Sequence, residues 1–326
     1  MTERQTAKRP RLPLIDIARG VAIVAMVFYH LAWDLSFYRL IPVDAGYDPG
    51  WVAFARSILF AFILLVGMGL VLGHGEGVRW RAFWRRWLLV AAGAGLITLG
   101  TFIVFPDSFV YFGVLHAIAL FSLLALPFLF TPVWLTALVG AAVIALPFLH
   151  ADPLFDQKAF SWLGFWVTPP LTNDLVPVFP WFGFTLAGVA AMRLMRGRPV
   201  MARLAAVQPR SRPARGLALM GRWSLLVYLV HQPVLLAVIA PLAMALGSQE
   251  AAREVDFISS CQATCEAGGT PGALCVPYCQ CGLEGIKRDN LWEPIYSGLV
   301  SAADQARLDA NNRQCSALIY PELDAE

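Results

Sequence analysis

The hydrophobic pattern of the chain consists of long apolar segments separated by short polar ones. Roughly 20 residues at about 1.5 Å each cross the ~30 Å hydrocarbon layer of a bilayer. Seven segments have about this length: Leu14–Tyr38, Trp51–Gly73, Trp87–Phe105, Val110–Phe130, Val133–His150, Val178–Met195 and Trp223–Leu246. The pattern therefore predicts an all-α polytopic membrane protein with about seven transmembrane helices.

The first of these helices carries four ionisable side chains on one face. At about 100° per residue, Asp16, Arg19, His30 and Asp34 fall within a narrow sector of the helix. Charged groups at membrane depth cost several kcal/mol unless they face a protein interior, so this face is expected to point inward. The alternative is a structural pair at the helix end, with the other two residues wetted by lipid headgroups.

Basic residues alternate between the predicted loops and indicate an orientation. They cluster in three places: Arg4, Lys8, Arg9 and Arg11; Arg79, Arg81, Arg85 and Arg86; and seven arginines between residues 196 and 222. By the positive-inside rule these loops face the cytoplasm, which puts the C-terminus in the periplasm of a bacterial inner membrane. We predict a basic N-terminus over 1–13, a transmembrane domain over 14–246 and an extracytoplasmic tail over 247–326.

Composition agrees with a membrane protein and argues against nucleic-acid binding. Hydrophobic residues make up 58% of the chain, charged residues 14%, and the mean hydropathy is +0.62. The net charge of +3 resides in a few arginine-rich loops rather than on a continuous basic surface. We therefore expect contact with membrane lipid and none with nucleic acid.

The polar tail after residue 246 contains all six cysteines: Cys261, Cys265, Cys275, Cys279, Cys281 and Cys315. A small domain in an oxidising compartment often relies on disulfides, so we predict up to three, with 15 possible connectivities. Zinc binding is the weaker alternative, because the spacing C-x3-C-x9-C-x3-C-x-C lacks paired C-x2-C arms and has no histidine nearby. No metal is therefore expected.

Two further histidines lie inside predicted spans. His116 is near the external start of the fourth helix, in the outer half like His30. His231 is about 12 Å from the cytoplasmic start of the seventh helix, on a stripe with Ser224 and Tyr228. Each histidine alone is as well explained by packing between helices as by catalysis. Three imidazoles in one bundle favour a chemical role.

The chain lacks the P-loop, GxGxxG, HExxH and GxSxG elements of soluble enzymes. Its residues do allow an acyl transfer, with arginines binding the phosphates of coenzyme A. His30 would act as general base or acyl carrier, oriented by Asp34 one turn later, with His116 and His231 as further catalytic candidates. The candidate donor-binding residues are Asp16, Arg19, Arg85, Arg86 and Arg222.

Four stretches also resemble a known family. They are DIARGVAIVAMVFYHLAWDLSFY, FGVLHAIAL, VFPWFGFTLAGV and GRWSLLVYLVHQPVLL, and together they are similar to the heparan-α-glucosaminide N-acetyltransferase catalytic domain over about residues 10–246. The resemblance implies transfer of an acetyl group from cytoplasmic acetyl-CoA to a sugar across the membrane, with a central histidine. His30 is the best match for that histidine. The cysteine tail lies outside the resemblance.

We therefore predict a transmembrane N- or O-acetyltransferase with acetyl-CoA as donor and an unidentified glycan or amino sugar as acceptor. A proton-coupled transporter is a second hypothesis, because intramembrane Asp, Arg and His also mark ion pathways. Seven spans show no evident inverted halves, which argues against it. A membrane anchor for the cysteine-rich domain is a third hypothesis, but it leaves the buried charges unexplained.

Overall fold

The computed structural model describes residues 12–319, so the four basic residues predicted at the cytoplasmic N-terminus lie outside the described residues. Within this range the chain is all-α, and its only β-type pairing is an isolated parallel bridge between Phe112 and Leu175. The first helices are α1 (Pro13–Phe37), α2 (Pro49–His74), α3 (Trp80–Val104), α4 (Val114–Leu124), α5 (Val133–Ala145) and α6 (Val178–Met195). They are followed by α7 (Pro199–Ala206), α8 (Arg212–Arg222), α9 (Ser224–Leu246), α10 (Ser248–Ala267), α11 (Gly272–Arg288), α12 (Trp292–Ser297) and α13 (Ala302–Ser316).

Among the described residues, five helices are long and apolar enough to cross a membrane: α1, α2, α3, α6 and α9. The bounds of α1, α2 and α9 lie within two residues of the segments predicted from hydrophobicity, and α6 has the predicted bounds. The multi-pass character of the chain follows from these helices. The number of seven spans stays a prediction.

The predicted spans Val110–Phe130 and Val133–His150 are wrong in their bounds, because the corresponding helices α4 and α5 are shorter. With 11 residues, α4 is about 17 Å long, well below the ~30 Å of the hydrocarbon layer. Proline does not continue an α-helix. Pro127 lies in a short 3-10 turn after α4, and Pro147 lies in a short 3-10 turn after α5. The residues just before α4 pair with the loop that precedes α6.

Two arginine-rich segments are more helical than the sequence predicted. The predicted start of the third helix at Trp87 is wrong, since α3 already begins at Trp80 and includes the mixed Arg and Trp residues. The polar segment between α6 and α9 contains α7 and α8. Ser211 caps α8, its hydroxyl accepting a hydrogen bond from the Ala214 N–H at 3.3 Å.

The core of the larger compact unit lies along α6, which packs against α2 and α5. Gly67 and Gly188 let α2 and α6 approach closely, because a Cβ at either position would lie about 2 Å from a backbone oxygen of the other helix. Phe121 and Leu186 are fully buried in the same core. Close backbone approach through small residues is typical of helices packed in membranes.

The described part of the chain divides into two compact units. The first comprises residues 12–34 and 43–237, and the second comprises 35–42 together with 238 onward. Both α1 and α9 contribute residues to each unit. All candidate site residues named above belong to the first unit, and all six cysteines belong to the second.

Three disulfides connect the helices of the second unit, which confirms the predicted disulfide bonding of the six cysteines. Cys261–Cys279 and Cys265–Cys275 join α10 to α11, and Cys281–Cys315 joins α11 to α13. Cys275 and Cys279 are completely buried. No cysteine is free, so the zinc alternative has no thiolate ligands available.

Removing Cys281–Cys315 should destabilise this unit more than removing Cys265–Cys275. The first closes a loop of 34 residues and the second a loop of 10 already enclosed by Cys261–Cys279. Chain entropy gives about 4 kcal/mol for the larger loop and about 3 kcal/mol for the smaller. Hydrogen exchange of α13 amides in the full chain should therefore be faster in C281S/C315S than in the matched C265S/C275S variant. Equal protection in the two variants would contradict this order.

Candidate functional site

The polar face of α1 is directed toward the segment that contains α8 and the start of α9. Asp16 Oδ2 lies 3.5 Å from Arg222 Nε and Asp16 Oδ1 lies 3.7 Å from Arg19 Nη1. Further along α1, His30 meets His231, and Asp34 meets the next residue of α9, Gln232. Each of the four α1 residues singled out in the sequence thus has a polar neighbour inside the protein.

The two imidazoles of His30 and His231 form the centre of this arrangement. His30 Nδ1 lies 2.6 Å from His231 Nε2, with ring centroids 4.8 Å apart and ring planes inclined by 26°. His231 is only 9% exposed. The sequence placed these residues at different depths, one in the outer half and the other about 12 Å from the helix start. The structure brings them into direct contact.

Backbone carbonyls determine which nitrogen of His231 carries its proton. His231 Nδ1 lies 2.7 Å from the Tyr228 carbonyl oxygen and 3.2 Å from that of Val227. Two acceptors at Nδ1 require a proton there, so the Nε2 of a neutral His231 is an acceptor. His30 Nδ1–H then donates to it. His30 Nε2 is consequently the unprotonated nitrogen of the pair.

Asp34 does not bond directly to His30, contrary to the role predicted for it one helical turn later. Its Oδ1 accepts a hydrogen bond of 2.7 Å from Gln232 Nε2. Gln232 is also a close neighbour of His30. Any influence of Asp34 on the imidazole therefore passes through Gln232. Sequence reasoning missed this glutamine, although it directly follows His231.

The predicted donor-binding arginines lie toward the start of α1, at the other end of the site. Arg19 has both Asp16 and Arg86 as electrostatic neighbours, and its guanidinium approaches Gly69 of α2. Arg86 lines a cavity of about 160 Å³ together with His74 and Ser122. Among residues 12–319, no carboxylate lies within ion-pair distance of Arg86. This end of the site therefore holds positive charge that the described chain does not neutralise.

Arg85 and Arg86 also line a shallow groove of about 810 Å³ on the surface of α3, with Arg79, Arg81 and Trp80. Asp16, in contrast, bonds Arg19 and Arg222 and cannot itself bind a phosphate. Asp16 instead forms an ion pair with each of the two guanidinium groups. Between residues 12 and 319, no group of three or more His, Cys, Asp or Glu side chains is arranged to bind a metal ion.

Helix α8 is positioned by glycines on both sides of its contact with α1. A Cβ at Gly20 would lie 2.0 Å from the Leu217 carbonyl oxygen, and one at Gly221 would lie 1.8 Å from that of Asp16. Backbone therefore packs directly on backbone at this point. The contact sets the place where Arg222 and the first turn of α9 meet α1.

The hydrogen bonds of His116 stabilise the connection between α3 and α4. Its Nδ1 accepts from the Gly113 N–H at 3.2 Å, so its proton is on Nε2, which lies 3.1 Å from Thr98 Oγ1. The Thr98 hydroxyl in turn donates to the Val110 carbonyl oxygen at 2.8 Å. Both ring nitrogens are occupied by the connection between α3 and α4. The structure does not bring His116 into the histidine pair.

Asp174 is a site residue that the sequence analysis missed. Its Oδ2 accepts a hydrogen bond of 3.0 Å from the N–H of Val114 at the start of α4. Tyr29 and Tyr228 are electrostatic neighbours of this carboxyl group, and their rings lie next to His30 and His231. Desolvation raises the pKa of Asp174 to about 6, and the bond from Val114 opposes the shift. As a lone loop residue, it gave no periodic signal.

Comparison with known families returned one match. A family model described as heparan-alpha-glucosaminide N-acetyltransferase, catalytic, matches residues 11–233. This range includes both histidines of the pair, Asp34 and Gln232, and it ends before the first cysteine. Searches against curated proteins and against solved structures found no match.

Replacing Gly221 with alanine should displace α8 from α1 and weaken the cluster around Asp16. The added Cβ would overlap a backbone oxygen, which cannot move aside as a flexible side chain does. A loss of about 1–3 kcal/mol in stability is expected, measured as a lower melting temperature in detergent. The matched control is Gly216→Ala in the same helix, where nothing lies within 4 Å of the new Cβ. Equal melting temperatures would argue against the close contact.

Asp174→Asn should remove a component of the pH dependence of stability. The carboxyl pKa is about 6 in the folded protein against an ordinary value of 3.8, so the folded state retains this proton to higher pH. Its contribution is complete below pH 3.8 and is lost as the pH rises to about 6, by at most about 3 kcal/mol. Melting temperatures of the variant should fall less over this range than those of the wild type. Asp107→Asn, at an exposed loop carboxylate, is the control, and identical pH profiles of wild type and D174N would contradict the assignment.

Proposed function

Because this chain belongs to the heparan-α-glucosaminide N-acetyltransferase catalytic family, we propose that it transfers an acetyl group from cytoplasmic acetyl-CoA to a glycan across the membrane. The acceptor would be an amino or hydroxyl group of a sugar on the periplasmic side of a bacterial inner membrane. A transmembrane acetyltransferase-type function is what the family indicates in general. The donor, the acceptor and the direction of transfer are the proposal.

The observation that carries this proposal is the histidine pair between α1 and α9. The carbonyl oxygens of Val227 and Tyr228 fix the proton of His231 on Nδ1, and this leaves the lone pair of His30 on Nε2. A neutral imidazole with a defined lone pair is suited to act as a base or nucleophile. Both helices have the length and apolarity of membrane spans, which supports a position of the pair within the membrane.

In the proposed direct reaction, His30 Nε2 accepts one proton and then releases it. In direct transfer, the acceptor nitrogen or oxygen attacks the thioester carbon, the C–S bond breaks, and Nε2 receives the proton lost by the acceptor. That proton then passes to the thiolate of the departing coenzyme A. In the covalent route, Nε2 attacks the thioester carbon, the C–S bond breaks and coenzyme A leaves as a thiolate; the acceptor then attacks the acetyl carbon, the bond to Nε2 breaks, and the proton lost by the acceptor passes to that thiolate. Both routes depend on the same nitrogen.

The arginine end of the site supports a polyanionic donor. Arg19 precedes His30 by 11 residues, or about 16 Å along the helix. Phosphates bound there by Arg19, Arg86 or Arg222 would leave an extended arm to carry the thioester toward the imidazole. Arginine binds phosphate through two parallel hydrogen bonds, and Arg86 has no carboxylate partner in the described chain to compete for it.

The distribution of positive charge supports the proposed orientation. The arginines around α3, α7 and α8 follow the positive-inside rule if this end of the bundle faces the cytoplasm. Acetyl-CoA would then enter from the cytoplasm, next to Arg19 and Arg86. The first compact unit would form the acetyltransferase domain, and the disulfide-linked tail would lie in the periplasm.

His30→Ala should abolish acetyl transfer and leave acetyl-CoA binding almost unchanged. Loss of a positioned base or nucleophile lowers the rate by about 10²-fold or more. Arg86→Ala should show the opposite pattern, with binding weakened by about 1.5–3 kcal/mol, or roughly tenfold to a hundredfold. Binding is measured as thermal stabilisation of the purified protein by acetyl-CoA, and transfer is measured with a panel of amino sugars.

Two matched variants control these measurements. His150→Ala removes an exposed imidazole whose ring contacts Phe155 and Phe165, and Arg210→Ala removes an exposed guanidinium; both should behave as the wild type. Absence of any stabilisation by acetyl-CoA would overturn the donor assignment. Full transfer activity in His30→Ala would overturn the role of the histidine pair.

A further inference from the structure

The carboxyl group of Asp34 is completely buried but has only one hydrogen-bond partner. Asp34 is 0% exposed, and its Oδ1 accepts from Gln232 Nε2. Two other buried oxygens of this pair, Asp34 Oδ2 and Gln232 Oε1, have no hydrogen-bond donor. Buried polar atoms without partners are rare in folded proteins, so both oxygens call for an explanation.

The charge balance around Asp34 does not favour an ionised carboxylate. The only side-chain partner of Asp34 within the described residues is the uncharged amide of Gln232 from α9, and the nearest titratable groups along the two helices are His30 and His231. Both histidines are held in a mutual hydrogen bond that a neutral pair satisfies, and Arg19 and Arg222 bond Asp16 instead. In the described part of the chain, no cationic side chain lies within ion-pair distance of Asp34. An unpaired carboxylate in an apolar interior costs several kcal/mol.

One proton on Asp34 Oδ2 corrects both the charge and the hydrogen bonding. A protonated Oδ2 is a donor, and the unpartnered Gln232 Oε1 of the same residue pair is an acceptor, while Oδ1 continues to accept from Gln232 Nε2. A water molecule could also donate to both oxygens, but it would leave the buried negative charge uncompensated. A sodium ion would need more oxygen ligands than these two residues offer.

We propose that Asp34 is held as a neutral carboxylic acid, paired with the amide of Gln232, and that this pair positions His30. The consequence for catalysis rests on the proposed function. Asp34 would be a positioning residue that acts through Gln232, and it would not increase the basicity of the imidazole as an ionised carboxylate does in a His–Asp pair. The part of the site between Arg19 and the last turn of α1 would then carry no charge.

The rate of acetyl transfer in Asp34→Asn distinguishes a neutral Asp34 from an ionised one. Asparagine keeps one acceptor and one donor in the same geometry, so a neutral Asp34 predicts a transfer rate within about twofold of the wild type and an unchanged pH profile. Asp34→Ala and Gln232→Ala should each lower the rate by about tenfold or more, because they break the acid–amide pair. A rate loss in folded D34N comparable to that in D34A, or a shift of its acidic limb, would overturn the proposal.

Infrared spectroscopy tests the same assignment without any enzymatic activity. At neutral pH the wild-type spectrum should contain the C=O stretch of a protonated carboxylic acid that is absent from D34N, and Asp107→Asn should leave it unchanged. If D34N does not fold, Gln232→Ala should shift this band, since the amide partner is lost. No band change in either variant would overturn the neutral acid. Presence of the band in a protein that neither binds acetyl-CoA nor transfers acetyl would refute only the proposed function.

Discussion

The need to pair polar groups inside a membrane constrains how α1 and α9 meet. An apolar helix in lipid gains little from burial against another apolar helix, so hydrogen bonds and close packing determine the contact. Here three polar contacts follow one another along α1: Asp16 with Arg222, His30 with His231, and Asp34 with Gln232. Sliding α9 along α1 would break the second and third contacts, and the first, made by Arg222 at the end of α8, fixes where α9 begins. The geometry of the histidine pair is therefore a consequence of the whole helix contact.

The point along α1 beside which α9 begins explains why His30 and His231, at different distances from the first residues of their helices, come together. His30 lies 17 residues after the first residue of α1, whereas His231 lies seven residues after that of α9. Helix α8 packs backbone to backbone on α1 at Gly20, so α9 begins beside the interior of α1 rather than beside its first residue. Estimating the depth of each histidine from the first residue of its own helix assumes that α1 and α9 begin at the same depth. That assumption fails because α8 occupies the first turns.

Local signals in the sequence predicted the features that depend on local structure. Apolar length and helical periodicity predicted the five long helices and the common face of Asp16, Arg19, His30 and Asp34, and cysteine number predicted the three disulfides. Hydrophobicity alone could not end α4, because the residues around Pro127 remain apolar while proline removes a backbone donor. Gln232 and Asp174 acquire their neighbours only in the folded chain. No periodicity marks a single polar residue that finds its partner at long range.

His116 and His30 show that an imidazole in an apolar segment has no fixed role. At His116 both nitrogens are used by Gly113 and Thr98 within the α3–α4 connection, so the ring has no free lone pair. At His30 one nitrogen is used by His231, and the proton arrangement leaves the other unprotonated. The decisive difference is the number of hydrogen bonds that the surroundings supply to each ring. A count of partners at each nitrogen therefore separates the proposed base His30 from the fully hydrogen-bonded His116, which their positions along the helices did not do.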